Sequence, residues 1–376
     1  MAGNRVFNKR QIRRYNQRGM KQHKIGFLTF SLNAGGLETY LLRFLRLYGK
    51  DISATVIVKN GKKGDLYDDF AKTGVHIILM KMGYFNIRAW LRLFHLFKSE
   101  KLDAVCDTGA NFGGIPLTLA LLAGIHRRIA YYGQSSHLFQ LTKRNLAYAN
   151  FMNWLVSKNA TAILANSHHA LSFYFGKKAG GRYKVIKNGV NRELFDIKES
   201  KDELRKYFGL PNDKIIVGHT GRLTPAKNHS TIMEVARVIC AENKNVIFVL
   251  AGNGTQNLPA QEGVIRLGYS SEIPKLLKTF DIYYFPSVTE GQPNSLIEAM
   301  MAGLPFVASD IAPIKECVPE NHFPQLVPAT DIHSSVEKIK ELIENSNRNQ
   351  YCCKEWAIET YDATQNFNCF KNELIC

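Results

Sequence analysis

SVTEGQPNSLIEAMMAGLPFVAS, residues 287 to 309, places two glutamates, Glu290 and Glu298, eight positions apart across a turn made by Gly291 and Pro293. Short apolar runs bracket the stretch, Ile282 to Phe285 before it and Phe306 to Ala308 near its end, with helical periodicity from Asn294 to Met301 between them. Strand, turn, helix and strand form one unit of a doubly wound α/β sheet. The turn leaves the backbone N–H groups of Asn294, Ser295 and Leu296 without helical partners, which suits an anion. Glu298, followed by Ala299 and Met300, lies in a helix too apolar for an unpaired charge, so it needs donors. A vicinal diol such as a ribose offers two; a buried lysine is the plainer partner. Glu290, nearer the strand end, could hold the hydroxyls of a sugar attached to a far phosphate, or cap the helix.

Upstream, GHTGRLTPAKNHS (Gly218 to Ser230) repeats the arrangement. An apolar strand ends at Gly221, and Arg222 and Lys227 flank a proline turn that opens a helix. A planar fork donor and a point cation beside a helix N-terminus suit a diphosphate; two solvated loop cations are the plain alternative. Strands are also expected at Ile215 to His219, Val246 to Ala251, Val264 to Leu267 and Pro324 to Val327. A separate series starts at KIGFLTF, Lys24 to Phe30, whose loop carries Gly35 and Gly36. It continues through Ala54 to Lys59, Val75 to Met80, Ala104 to Asp107, Arg128 to Tyr132 and Ala162 to Asn166. The polar stretch between the series divides the chain into a basic tail (1–22), an N-terminal Rossmann-like domain (23–195), a C-terminal one (196–345) and a terminal helical segment (346–376). Two such halves facing each other bind ligands beyond the carboxyl ends of their strands.

At 376 residues the chain exceeds one ordinary hydrophobic core, and its formal charge of +17 attracts phosphates of nucleotides, nucleic acid or lipid. The seven cysteines show no paired C-x-x-C spacing and no secretory signal precedes them, so they are expected to be reduced thiols of a cytosolic protein. The longest apolar stretch, Ile115 to Ile125, is shorter than the roughly 20 residues of a membrane span. Residues 1–24 carry eight Lys and Arg and no acidic residue, the pattern of a solubilising arm or of one drawn to anionic lipid. YFNIRAWLRLFHLFK, Tyr84 to Lys98, sets Trp90, Leu91, Phe94 and Phe97 near one helical face among Arg88, Arg92 and Lys98. TKRNLAYANFMNWLVSK, Thr142 to Lys158, is a second basic and apolar helix. Both are candidates for an anionic membrane surface, the alternative for the first being a helix packed on the core with its cations outside. A dinucleotide-binding oxidoreductase fits the fold class, but neither Ala34-Gly35-Gly36 nor Gly252-Asn253-Gly254 completes G-x-G-x-x-G. A basic nucleic-acid-binding protein fits the charge without a motif to support it.

Taken in order, Gly35-Gly36-Leu37-Glu38, ILANS (163–167), VIKNGVN (185–191), GRLTPAKNH (221–229), LAGNGTQ (250–256) and the opening E-x7-E stretch resemble a known family. The chain is similar to the retaining glycosyltransferases of the GT-B fold, family 4 (glycosyl transferases group 1), of surface-polysaccharide type. The resemblance implies an α/β, GT-B architecture whose last helix returns to the N-terminal domain. It implies transfer of a sugar from a UDP- or GDP-linked donor to a glycan or lipid-linked acceptor, at the cytoplasmic side of a membrane. Arg222 and Lys227 would neutralise the diphosphate, Glu298 would bind the ribose and Glu290 the transferred sugar. Gly35, Gly36, Gly221, Gly291 and the amides of Asn294, Ser295 and Leu296 would cradle phosphate. Gly252 and Tyr269 would approach the base, and Glu38 would face the acceptor. The family often has histidine where this chain has Tyr131 and Gly133 in RIAYYGQSSH (128–137); His137 is the candidate substitute. No D-x-D pair offers to hold a metal on the diphosphate, so metal-independent transfer without a cofactor is expected, by same-face attack, with no nucleic-acid partner.

Overall fold

The computed structural model describes residues 22–83, 86–109, 112–135, 142–178 and 180–376. The basic tail and His137 lie outside them. The apolar run after His23 forms β1 (His23–Thr29), paired in parallel with β2 (Ile52–Val58) on one side and β4 (Ala104–Asp107) on the other. With β3 (His76–Leu79), β5 (Arg127–Tyr132), β6 (Ala162–Ala165) and β7 (Tyr183–Val185) they make a seven-stranded sheet in the order β3-β2-β1-β4-β5-β6-β7. The strip β7 is too short and too exposed to read from the sequence. The second sheet runs β10-β9-β8-β11-β12-β13, from β8 (Ile215–Thr220), β9 (Val246–Ala251), β10 (Val264–Gly268), β11 (Ile282–Phe285), β12 (Phe306–Ser309) and β13 (Leu326–Val327).

Both sheets are wholly parallel, and in each the order reverses beside the first strand, at β1/β4 and at β8/β11. Such switch points open a crevice at the strands' carboxyl ends. Helices cover both faces of each sheet, which is why the strands are mostly apolar and β4, β6, β11 and β12 are buried at every residue, the polar Asp107 and Ser309 at strand ends included. This is the GT-B architecture, two facing Rossmann-like lobes.

The chain crosses between lobes twice, and the crossings touch. Val190, leaving the N-terminal lobe, donates to Tyr361 O at 2.8 Å, and Asn366 Nδ2 donates to Asn188 O at 3.1 Å. The helix Lys354–Tyr361 buries Ala357 and Tyr361 in the C-terminal lobe. After Asp362, which caps the amide of Gln365 at 2.8 Å, the helix Ala363–Ile375 returns to the N-terminal lobe and buries Phe367, Phe370 and Leu374 there.

The helix Ile87–Glu100 differs from the sequence expectation in its inner face. Ala89, Leu93 and Phe97 point into the core, and Phe97 is no part of an outward stripe; Ile87, Arg88, Leu91 and Arg92 face outward instead. The core-packed alternative thus describes the inner face of this helix, because Leu93 and Phe97 share a core cluster with Leu28 of β1 and Val105 of β4, and Ala89, one turn before Leu93, is buried as well. All seven cysteines are free thiols. Among the described residues, no helix is long and apolar enough to cross a membrane.

Candidate active site

The loop after β8 is held by its neighbour. Gly221 N donates to Ala251 O at 2.8 Å and Leu223 N to Asn253 O at 2.9 Å. Gly252, at φ +144°, lies so close that a Cβ on it would sit 2.0 Å from Gly221 O, so only glycine permits this nesting. Beyond Arg222 and Pro225 the chain turns at Asn228, whose side-chain amide donates to Pro286 O (3.2 Å) and Ala329 O (2.8 Å), tying the loop to the end of β11. Lys227 is thereby aimed across β11: its Nζ lies 2.6 Å from Glu290 Oε1 and 4.6 Å from the centre of the Phe285 ring.

Glu290 and Glu298 both lie where the lobes meet. Ser135 Oγ donates to Glu290 O, Ser167 Oγ to Gly291 O at 3.1 Å, and a Cβ on Gly291 would be 2.1 Å from Gly133 O. Asn188 donates from its backbone to Gln292 Oε1 and from its side chain to Asn294 Oδ1, both at 2.6 Å. Glu298, one turn into the helix Asn294–Met301, is ion-paired with Arg43 from the helix Gly36–Tyr48 of the opposite lobe. The need of Glu298 for a donor is real, and a cation meets it, an arginine from 255 positions away. The amide of Leu296 donates to Pro293 O at 3.1 Å, which leaves Asn294 and Ser295 as the forward members of the expected cradle.

On the N-terminal side, Gly35 precedes the helix and Gly36 begins it; a Cβ on Gly36 would lie 3.9 Å from Asn294 Nδ2, so this glycine loop faces the E-x7-E helix. Glu38 accepts from Ser31 Oγ at 3.2 Å. Burial pushes its carboxyl pKa up, against the pull of its own backbone amide, Ser31 and the nearby charge of Arg222. Arg222 itself is exposed at the cleft.

The structure therefore gathers Arg222, Lys227, Glu290, Gly291, Asn294, Ser295, Glu298, Gly35, Gly36 and Glu38 around one interlobe cleft. Gly221 and Gly252 nest against each other beneath the loop that carries Arg222. Tyr269, just past β10, is 68% exposed at the sheet's outer edge. Tyr131 is fully buried and stacks on Tyr40 with ring centres 4.7 Å apart, so it belongs to the core. Gly133 packs against the Leu37 side chain, which would have to shift for any Cβ there, 2.3 Å from Leu37 Cδ2. Sequence reasoning missed Arg43, Asn188, Ser135 and Ser167, whose partners are remote in sequence. It also missed His219 and His229, buried under the Arg222–Lys227 loop with ring centres 5.1 Å apart. Burial holds the pKa of His219 down to about 3 and that of His229 down to about 4, so both are neutral.

Residues 200–356 match the family model described as glycosyl transferases group 1. Over 279 residues the chain is 26% identical to the UDP-Gal:alpha-D-GlcNAc-diphosphoundecaprenol alpha-1,3-galactosyltransferase of Escherichia coli, covering 69% of this chain and 71% of that one. It is 24% identical over 353 residues to the capsular polysaccharide biosynthesis glycosyltransferase CapM of Staphylococcus aureus, covering 87% and 90%. Among solved structures, HepE of Anabaena in complex with UDP-glucose superposes with a TM-score of 0.79 at 19% identity, over 93% of this chain and 98% of that one. With two facing parallel-sheet lobes and a terminal helix that crosses back, the chain has the GT-B fold, and its C-terminal lobe is similar to the glycosyl transferases group 1 family.

Proposed function

We propose that the protein is a retaining glycosyltransferase that moves a sugar from a nucleoside-diphosphate donor to a glycan or lipid-linked acceptor in bacterial surface-polysaccharide synthesis. The observation that carries this reading is the pair of carboxylates at the lobe interface, each already held by a cation, Glu290 by Lys227 and Glu298 by Arg43. Cations and carboxylates alternating along a cleft fit a ligand that alternates hydroxyls and phosphates. Similarity to CapM, a capsular polysaccharide biosynthesis glycosyltransferase, supports the pathway, and similarity to the galactosyltransferase that acts on GlcNAc-diphosphoundecaprenol supports a lipid-linked acceptor.

In this reading Glu298 takes the ribose diol, Arg222 and Lys227 take the diphosphate, and the Asn294–Met301 helix adds its N-terminal dipole. Lys227 then bridges Glu290 and the phosphate, which places the transferred sugar beside the Glu290 carboxylate. As the bond from the anomeric carbon to the phosphate oxygen breaks, the charge that develops on that oxygen is met by cations and amides already in place. The acceptor oxygen bonds to the anomeric carbon on the same face, and its proton passes to the departing phosphate. Glu38 stands on the acceptor side. These groups make transfer independent of a divalent metal and of any cofactor.

A panel of nucleotide sugars, read by nucleotide release and by the anomeric configuration of the product, tests the proposal. One UDP- or GDP-sugar is expected to be turned over with retention and with EDTA present. Arg222→Ala and Glu290→Ala are each expected to lower turnover by about a hundredfold. No release from any member, together with no thermal shift by UDP or GDP, would remove the reading.

A further inference from the structure

We infer that Tyr283 is a positioning residue: its buried hydroxyl ties the Arg222–Lys227 turn to the turn that opens the Asn294–Met301 helix, and so fixes the distance between them. This deepens the reading above and rests on it for what the two turns grip, a diphosphate.

The turns follow β8 and β11, the adjacent strands at the switch point of the C-terminal sheet. A diphosphate that spans them needs both sets of donors at once, so their spacing matters as much as their charge. Farther out the loops are joined by backbone, the amide of Val288 donating to Ala226 O at 2.9 Å. At their base the tie is a side chain. Tyr283 pairs with Gly218 in the sheet, and its side chain reaches Thr220, the last residue of β8. Its hydroxyl accepts from the Thr220 amide at 3.4 Å, lies 2.8 Å from Thr220 Oγ1 and donates to Thr220 O at 3.3 Å. Ser295, in the first turn of the helix that carries Glu298, hydrogen-bonds the same hydroxyl.

Tyr283 is fully buried and Thr220 is 3% exposed. A hydroxyl in such a place needs partners, and phenylalanine would fill the same space without that need. The partners are the residue just before Gly221 and a forward member of the cradle, one on each side of the switch point. Burial raises the pKa of the phenol against the pull of Thr220 and Ser295, and the charge of Glu298 adds to the rise, so the group is neutral at neutral pH.

The ring serves the same turn from below. It lies near parallel to His219 and to Phe285, with ring centres 6.3 and 6.0 Å away, and Phe285 carries Lys227 Nζ 4.6 Å from its centre. One row of rings therefore runs from the Thr220–Ser295 tie to the Lys227 ammonium. The next residue, Tyr284, points to the other face of the sheet and donates to Ser335 Oγ at 2.8 Å, in the helix Ile332–Glu344, which carries no residue of the cleft.

The test compares Y283F with Y284F, each of which removes one buried hydroxyl and keeps the ring. Backbone hydrogen exchange without nucleotide, read by mass spectrometry, is expected to quicken about tenfold in Y283F in the peptides spanning 219–228 and 291–297 together, and in neither for Y284F. For the UDP- or GDP-sugar that the parent turns over, Y283F is expected to lower kcat about tenfold or more and to move donor KM by less than about threefold, since charge on the departing phosphate oxygen develops only in the transition state. Y284F is expected to lose a similar amount of melting temperature and to keep kcat. T220V removes the other end of the bond and is expected to reproduce both effects of Y283F, and to add no further loss when combined with it. Losses that add, kcat in Y283F equal to that in Y284F, or unchanged exchange in either turn each overturn the inference. A parent that releases no nucleotide from any donor sinks the reading of the cleft, and exchange in Y283F and T220V then decides the tie.

Discussion

His219 and His229 show how a single residue's setting governs the cleft's charge. His219 Nδ1 donates to Tyr284 O at 2.9 Å and the ring is 1% exposed. With its pKa lowered to about 3, and that of His229 to about 4, neither imidazole adds charge under the Arg222–Lys227 loop at neutral pH, and the cations there are Arg222 and Lys227. Stability follows with a definite sign. Each folded pKa lies below the unfolded value near 6.5, so the unfolded chain binds protons more readily as pH falls. The contribution is fully present above about 6.5 and is lost on acidification towards about 4, at up to roughly 1.4 kcal/mol per pH unit for each ring. Thermal melts from pH 7 to 4 are expected to drop steeply for the parent and less steeply for H229Q; parallel curves would refute the assignment. The sequence displays both histidines, but a histidine at a strand end reads equally as ligand or filler. Burial decides, and burial is a property of the packed lobe.

At the scale of elements, the terminal helix Ala363–Ile375 holds the two-lobed arrangement together. Phe370 is fully buried among Tyr40, Phe44 and Tyr131, with ring centres 5.4, 4.9 and 5.6 Å away in edge-on contact. F370A is expected to cost about 3–5 kcal/mol in urea unfolding, far more than an exposed aromatic such as Phe173 at 41% exposure would. A loss under 1 kcal/mol would mean that the helix is not docked as described. Apolar periodicity made most elements legible, with ends shifted by one or two residues: Val246–Ala251, Ile282–Phe285 and Asn294–Met301 fall where the pattern puts them. The exception was which face of Ile87–Glu100 is inside. A helix that is apolar on more than one side has no unique inner row until a sheet is set against it.

At the scale of the whole molecule, paired charges and polar contacts tie the two lobes together. Arg43 reaches Glu298, and the carboxylate of Glu316 accepts from the amides of His168 and His169 at 2.6 and 2.9 Å, at the start of the helix His168–Phe175 in the other lobe. Under the proposed function a ribose on Glu298 would compete with Arg43, which would couple donor entry and lobe opening through one guanidinium. A charge-assisted bond of about 1.5–3 kcal/mol shifts an open–closed equilibrium by roughly tenfold to a hundredfold. R43A is therefore expected to show a larger radius of gyration in solution scattering without nucleotide, and UDP is expected to reduce the difference; superimposable curves would show that Arg43 closes nothing. By itself the sequence determined the strand–turn–helix units, their grouping into two lobes and the E-x7-E stretch with its cations, because those follow from short-range periodicity and from turn chemistry. Only the tertiary structure decided that Tyr131 is core, that Gly133 packs against Leu37, and that Arg43 holds Glu298. Those outcomes depend on which surfaces meet across up to 255 residues of chain, a distance over which neighbouring residues carry no information.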